Sequence, residues 1–177
     1  MGAVTNAPTA IDVLLESFGR IPDLLHDVVD DLDADTLIRQ PVVDGHPNNS
    51  IGWIVWHIGR MADAQIADIT DSPEVHAGGW AERLGVPYPP TTHGYGQSAA
   101  DVARFTVTSP AVLTDYYDAV HARIVEVLQG LGPQDLERVV DERWDPPVTA
   151  LVRLVSVVDD AAQHAGQAAY VKGLLTA

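Results

Sequence analysis

Residues 148–175 read VTALVRLVSVVDDAAQHAGQAAYVKGLL, an apolar run that Asp160 and, four positions later, His164 interrupt. Residues four apart project from the same side of an α-helix, so a carboxylate and an imidazole can reach one point in space. Both lie beside the apolar stripe Val157, Ala161, Ala168 and Val171. The stretch therefore predicts an amphipathic helix with two polar groups at the margin of its buried face.

Three other stretches show the same helical period. The first stripe is Ile11, Leu14, Phe18, Ile21, Leu25, Val28 and Leu32, in a long helix that we expect Pro22 to kink. The second is Ile51, Ile54, Val55, Ile58, Ala62, Ile66 and Ile69, after the N-cap residues Asn48, Asn49 and Ser50. The third helix opens on Ser109 and Pro110 and closes near Gly132.

Between the second and third helices, the segment from Thr70 to Thr108 is rich in Gly, Pro and Thr and has room for short helices. Connections this long are more often functional covers than plain linkers. The sequence predicts an all-α fold, a four-helix bundle with a long lid-like connection between helices 2 and 3.

Composition narrows the function. The 177 residues predict one domain, residues 1–177, and no stretch approaches the roughly 20 apolar residues of a membrane span. Ten Lys and Arg against 25 Asp and Glu give a net charge of −15, which argues against nucleic acid and anionic membranes as partners. With no signal-peptide pattern at the N-terminus, we expect a cytoplasmic protein. The absence of cysteine excludes a protein thiol as nucleophile or metal ligand.

Helical bundles place metal and ligand sites between facing helices. His57, in WIVWHIGR close to Trp53, joins Asp160 and His164 as a candidate ligand set for zinc, or for non-haem iron, nickel or manganese. The alternative is structural: an Asp–His hydrogen bond within the fourth helix, and a packed His57 beside tryptophans. In the lid, His93 and Tyr95 of THGYGQ are candidate substrate contacts.

The segments SIGWIVWHIGRMADAQIADI, GYGQSAADVARFTVTSPAVLTDYYDAVH and RWDPPVTALVRLVSVVDDAAQHAGQAAYVKGLL resemble the DinB-like superfamily, and within it actinobacterial proteins related to mycothiol S-transferases. The resemblance runs from about Ser17 to Leu175. It implies a bundle, commonly dimeric, whose divalent metal is held by His57, Asp160 and His164. Asp160 departs from the commoner histidine but agrees with this subgroup, and Gln65 stands where we expect a histidine in close relatives.

The implied activity is conjugation of a low-molecular-weight thiol, mycothiol, to small electrophiles. A divalent metal, most simply zinc, lowers the pKa of a bound thiol. Trp53, Arg60 and Arg143 are further candidate contacts for the thiol or substrate. Two alternatives remain: a thiol-linked isomerase or a hydrolase on the same ligands, and a noncatalytic stress protein that binds metal or a small molecule.

Overall fold

The computed structural model describes residues 7–107 and 109–176 of the chain. They form nine α-helices: α1 (Ala10–Gly19), α2 (Ile21–Val29), α3 (Ala34–Ile38), α4 (Ile51–Thr70), α5 (Trp80–Leu84), α6 (Ala99–Val102), α7 (Pro110–Gly130), α8 (Pro133–Glu137) and α9 (Ala150–Thr176). Two antiparallel hairpins add the strands β1 (Val42–Val43), β2 (His46–Pro47), β3 (Val139–Asp141) and β4 (Val148–Thr149). The predicted all-α fold is confirmed.

The bundle has four helical positions, which are occupied by the α1–α2 pair, α4, α7 and α9. α4 packs against α9 on one side and α7 on the other, and the α1–α2 pair contacts both α7 and α9. The α1–α2 pair therefore lies diagonally opposite α4. Across residues 7–107 and 109–176, the structure contains no helix with both the length and the apolar character needed to cross a membrane.

The predicted first helix is two helices rather than one kinked helix. Its apolar stripe is buried as expected, with Phe18 and Leu25 fully enclosed. The chain turns at Arg20, whose N–H bonds back to Ser17 and Phe18, and α2 restarts with Pro22 in its first turn. Proline lacks the N–H that a continuous helix would need there, but that N–H is not required in a first turn.

α4 begins where its cap predicts, since the Ser50 hydroxyl accepts a hydrogen bond from the Trp53 N–H. All seven residues of its predicted stripe are buried. The other side of the helix is buried too, and every residue from Ile51 to Arg60 is enclosed. The long connection covers this second face: the Tyr88 and Phe105 rings pack on Trp56, and the short 3₁₀ turn Val75–Ala77 donates backbone hydrogen bonds to Asp63. Thr108, the last residue of the predicted lid, lies outside the described residues.

Close packing of α4 on α7 depends on Gly59. A Cβ built on Gly59 would lie 2.8 Å from Cε1 of Tyr116. The Tyr116 ring is fully buried, and its hydroxyl donates to Asp63 at 2.8 Å, so the ring has little freedom to move aside.

We expect Gly59→Ala to lower the free energy of unfolding by about 1–3 kcal/mol, because overpacking forces α4 and α7 apart. The matched control is Gly173→Ala in α9, where an added Cβ meets nothing within 4 Å. There the better helix propensity of alanine should raise stability by up to about 1 kcal/mol. Urea unfolding followed by circular dichroism measures both, and equal effects of the two substitutions would contradict the packing account.

Candidate metal centre

His57 on α4 and Asp160 and His164 on α9 converge at the α4–α9 interface. One ligand atom from each lies within 4.8 Å of the other two. The His164 Nε2 is 3.5 Å from the Asp160 Oδ1, and the two imidazole rings meet edge to face with centroids 5.0 Å apart. The predicted convergence is present, whereas the metal-binding role of the three residues stays a prediction.

The second nitrogen of each imidazole has an outer partner. The His57 Nδ1 lies 2.5 Å from the backbone oxygen of His93, and the His164 Nδ1 lies 2.8 Å from the Gln167 Oε1. Both partners are oxygen acceptors, so each Nδ1 donates its proton outward and Nε2 is the ring atom left to face a metal. Metal-binding histidines are usually oriented in this way by a second hydrogen bond. The donor set therefore fits a divalent metal better than it fits a packed His57.

The environment shifts the pKa values of the three residues in different directions. Burial of the His57 ring lowers its pKa. The hydrogen bond between Asp160 and His164 lowers the pKa of the carboxyl and raises that of the imidazole. The Asp160–His164 pair, which shares a hydrogen bond, thus faces a histidine whose protonation burial disfavours.

Glycine 94 brings the connection onto His57. Its φ of +97° is a backbone conformation that side chains disfavour, and an added Cβ would lie 2.6 Å from the His57 Nδ1 and 3.0 Å from the Trp53 ring. The Trp53 ring stacks on the His57 imidazole, with the two ring centroids 4.9 Å apart. The Trp53 Nε1 donates to the Gln97 Oε1 at 2.8 Å. The connection thus packs against the metal centre, as predicted for a lid.

The lid contributes to this wall in another way than expected. His93 supplies its backbone oxygen, while the Tyr95 side chain is 82% exposed. Tyr95 is therefore not part of the wall in this structure, and its contact with a substrate stays a prediction. A loop that packs on a helix can contact it through backbone groups, and sequence reasoning that considers only side chains misses such contacts.

Arg60 belongs to a buried hydrogen-bond network, and its contact with a thiol or substrate stays a prediction. Its guanidinium is fully buried and donates to the backbone oxygens of Pro90 and Thr92 and to the Tyr116 hydroxyl, and it pairs with Glu74 at 2.8 Å. Asp63, in contact with the same guanidinium at 3.5 Å, accepts from the N–H groups of Val75 and His76. Through these contacts, Arg60 fastens the long connection to α4.

Arg143 forms an exposed ion pair, and its contact with a thiol or substrate also stays a prediction. Its guanidinium binds Asp141 through two hydrogen bonds of 2.9 and 2.8 Å, and Arg153 binds the same carboxylate. Arg153 also donates to Gln65, which lies eight residues, or about 12 Å, beyond His57 along α4. This network pairs Arg143 with Asp141 and gives Gln65 the Arg153 guanidinium as its partner.

Gly94 and Gln167 are the two site residues whose roles sequence reasoning missed. Gln167 follows His164 by three positions, which places both side chains on one face of a helix. That spacing was the available signal for Gln167. The signal for Gly94 was weaker: two glycines flank Tyr95 in THGYGQ, and only the fold shows which one approaches His57.

We expect Gly94→Ala to weaken metal affinity about tenfold or more, because the new methyl displaces the carbonyl that orients His57. Gly96→Ala is the matched control: Gly96 also has a positive φ, of +73°, but an added Cβ there meets nothing within 4 Å. Competition with a chelating dye measures zinc affinity in both variants. Equal losses would mean that backbone strain, rather than contact with His57, is responsible.

Metal affinity should also decrease as the pH is lowered. His164 must release its proton before Nε2 can bind a metal, and Asp160 raises the pKa of that proton above the ordinary 6.5. We therefore expect affinity to fall, approaching tenfold per unit, as the pH drops from about 8 to about 6. Titration calorimetry at several pH values measures this, and an affinity unchanged over that range would show that His164 is not a ligand.

Comparisons with known proteins agree with this architecture. Residues 17–168 match the family model of the DinB superfamily. Among solved structures, the chain is similar to a conserved protein from Enterococcus faecalis, with 27% identity, a TM-score of 0.88, and coverage of 96% of this chain and 99% of that one. No curated protein sequence matches. Because the family model spans most of the chain, including His57, Asp160 and His164, the protein belongs to the DinB superfamily.

Proposed function

We propose that this chain is a metal-dependent transferase that joins a low-molecular-weight thiol, mycothiol, to small electrophilic molecules. The observation that carries the proposal is the ligand set itself: two imidazoles whose Nδ1 atoms are engaged elsewhere, beside one carboxylate. Three protein ligands leave coordination positions for a further molecule, as in catalytic rather than structural zinc sites. Zinc is the metal we propose, with nickel, iron and manganese as the alternatives that this donor set accepts.

When bound at these residues, a divalent metal would bind a thiol in its thiolate form at neutral pH, well below the free thiol pKa of about 8.5. The chain supplies the setting. His57 and His164 present Nε2, because the His93 carbonyl and the Gln167 amide fix the ring orientations. The Asp160 carboxylate offsets the charge of the cation and has a lowered pKa, so it stays ionised at neutral pH.

The group transfer is a substitution at carbon. The sulfur of the thiolate forms a bond to the electrophilic carbon, the bond from that carbon to its leaving group breaks, and the leaving group departs as an anion. The thiol proton passes to solvent. Neither oxidant nor reductant is required, so holding the two reactants together is the main contribution of the protein.

The choice of thiol rests on two features of the sequence. The chain has no cysteine, so the reacting sulfur must come from a separate molecule. Aspartate at position 160, rather than histidine, agrees with the actinobacterial mycothiol S-transferase relatives that the sequence resembles. We also propose a homodimer, which the same resemblance implies.

The test removes each ligand in turn. We expect His57→Ala, Asp160→Ala and His164→Ala each to reduce zinc affinity more than about 100-fold and to abolish conjugation of mycothiol to a fluorogenic bimane. Metal content and activity should fall together. Helical circular dichroism should be unchanged, since the apolar stripes of the bundle remain intact.

Asp159→Ala is the matched control, because Asp159 is the adjacent exposed carboxylate and, among the described residues, its side chain is hydrogen-bonded only to Gln163. It should keep both metal and activity. Ligand variants that retain full activity without bound metal would refute the mechanism. Variants that unfold would instead favour a structural role, in which Asp160 and His164 only hold α9 in place.

A further inference from the structure

A pocket of about 330 Å³ opens beside the metal centre, at the end of the bundle where α4 begins and α9 ends. Its walls come from the β1–β2 hairpin, the first turn of α4, the start of α6 and the last three turns of α9. The residues that matter for its chemistry are Val43, Asn49, Ile54, Gln167, Tyr170 and Leu174. A volume of this size lies in the range of small-molecule sites.

Two helices carry residues of both the pocket and the candidate metal centre. Ile54 lies three residues before His57 on α4, and Gln167 lies three residues after His164 on α9. Residues at that spacing are neighbours on a helix surface, about 5–6 Å apart. Gln167 joins the two sites directly, because the residue that lines the pocket also accepts the hydrogen bond from the His164 Nδ1. The wall of the pocket therefore lies about one helical turn from two of the candidate ligand residues.

The lining excludes charge. No Asp, Glu, Lys, Arg or His is among the described residues that line the pocket, in a chain that carries 25 acidic side chains. A charged ligand would find no counter-ion in these walls. Most of the wall is apolar, and three of its large residues are exposed to solvent: Val43 at 48%, Leu174 at 45% and Tyr170 at 69%.

The polar groups in the pocket wall are uncharged. Asn48, Asn49 and Gln167 are the polar side chains there besides Tyr170. Within residues 7–107 and 109–176, Gln167 makes one side-chain hydrogen bond, which uses its oxygen and leaves its NH₂ without a protein acceptor. Such a wall suits a ligand with an apolar body and an uncharged acceptor, such as a carbonyl or ether oxygen.

We propose that this pocket binds the electrophilic substrate, and that the substrate class is an uncharged, largely apolar molecule with a hydrogen-bond acceptor near its reactive carbon. The inference rests on the proposed function for the identity of the reaction. Its binding claim is independent of turnover. The reactive carbon lies towards Gln167 and the metal centre, and the apolar body lies between the hairpin and Tyr170.

The test uses a chlorine-free bimane, an uncharged fluorophore that cannot react with thiols, and the zinc-loaded full chain. Equilibrium dialysis should show binding to the wild-type protein. Val43→Asp, which puts a carboxylate in the apolar wall, should weaken that binding about tenfold. It should also raise the KM for monochlorobimane by the same factor, with zinc content unchanged.

Val13→Asp is the matched control, since Val13 is a comparably exposed valine, at 60%, on α1 and outside this pocket. It should leave dialysis and KM unchanged. Tyr170→Ala provides a second variant that adds no charge to the hairpin, and it should weaken bimane binding in the same direction. Circular dichroism confirms that each variant is folded.

The outcomes separate this proposal from the transferase function. If bimane binds and both pocket variants weaken it, but no thiol is conjugated, the pocket stands and the proposed reaction is wrong. If conjugation proceeds with equal KM in wild type, Val43→Asp and Tyr170→Ala, the reaction stands and the pocket proposal is overturned. Equal binding of a carboxylate-bearing bimane would overturn the assignment of an uncharged substrate.

Discussion

The fully buried guanidinium of Arg60 is the constraint on which the functional half of this bundle depends. An arginine has five N–H donors and keeps its charge, so in a protein interior it must be surrounded by oxygen atoms. α4 offers only Asp63 nearby, and the remaining oxygens come from Glu74, Tyr116 and the backbone at Pro90 and Thr92. A single buried charge therefore dictates the path of a connection that has little regular structure of its own.

That path has a chemical consequence one residue later. Once Thr92 is fixed, the carbonyl of His93 meets the His57 Nδ1 and Gly94 packs on the imidazole. Burial then lowers the pKa of His57, while the pairing of Asp160 with His164 lowers the pKa of the carboxyl and raises that of the imidazole. The stability of the fold and the orientation of a candidate ligand are thus two results of the same hydrogen-bond network, which explains why an apparent surface cation is buried here.

Sequence period predicted the parts of the structure that apolar burial determines. The stripes of the first helical pair, α4 and α9 were visible as steps of three and four, and the i, i+4 spacing put Asp160 and His164 on one side of α9. Period could not show that α4 is buried on both faces, because the covering segment has no period. It also could not reveal a backbone carbonyl as a partner of His57, nor distinguish Arg60 from an exposed cation, since both depend on contacts between residues about 30 positions apart in the chain.

The central claim is that His57, Asp160 and His164 hold a divalent metal that accepts sulfur from an external thiol. X-ray absorption at the zinc edge of the loaded protein, recorded with and without mycothiol, tests it most directly. A chain without cysteine offers no thiolate of its own, so a sulfur scatterer at about 2.3 Å that appears only after mycothiol is added comes from that thiol. The account predicts a first shell of imidazole nitrogen and carboxylate oxygen that gains one sulfur when mycothiol is added. A zinc shell that stays free of sulfur at saturating thiol, or that survives intact in His57→Ala, would contradict it.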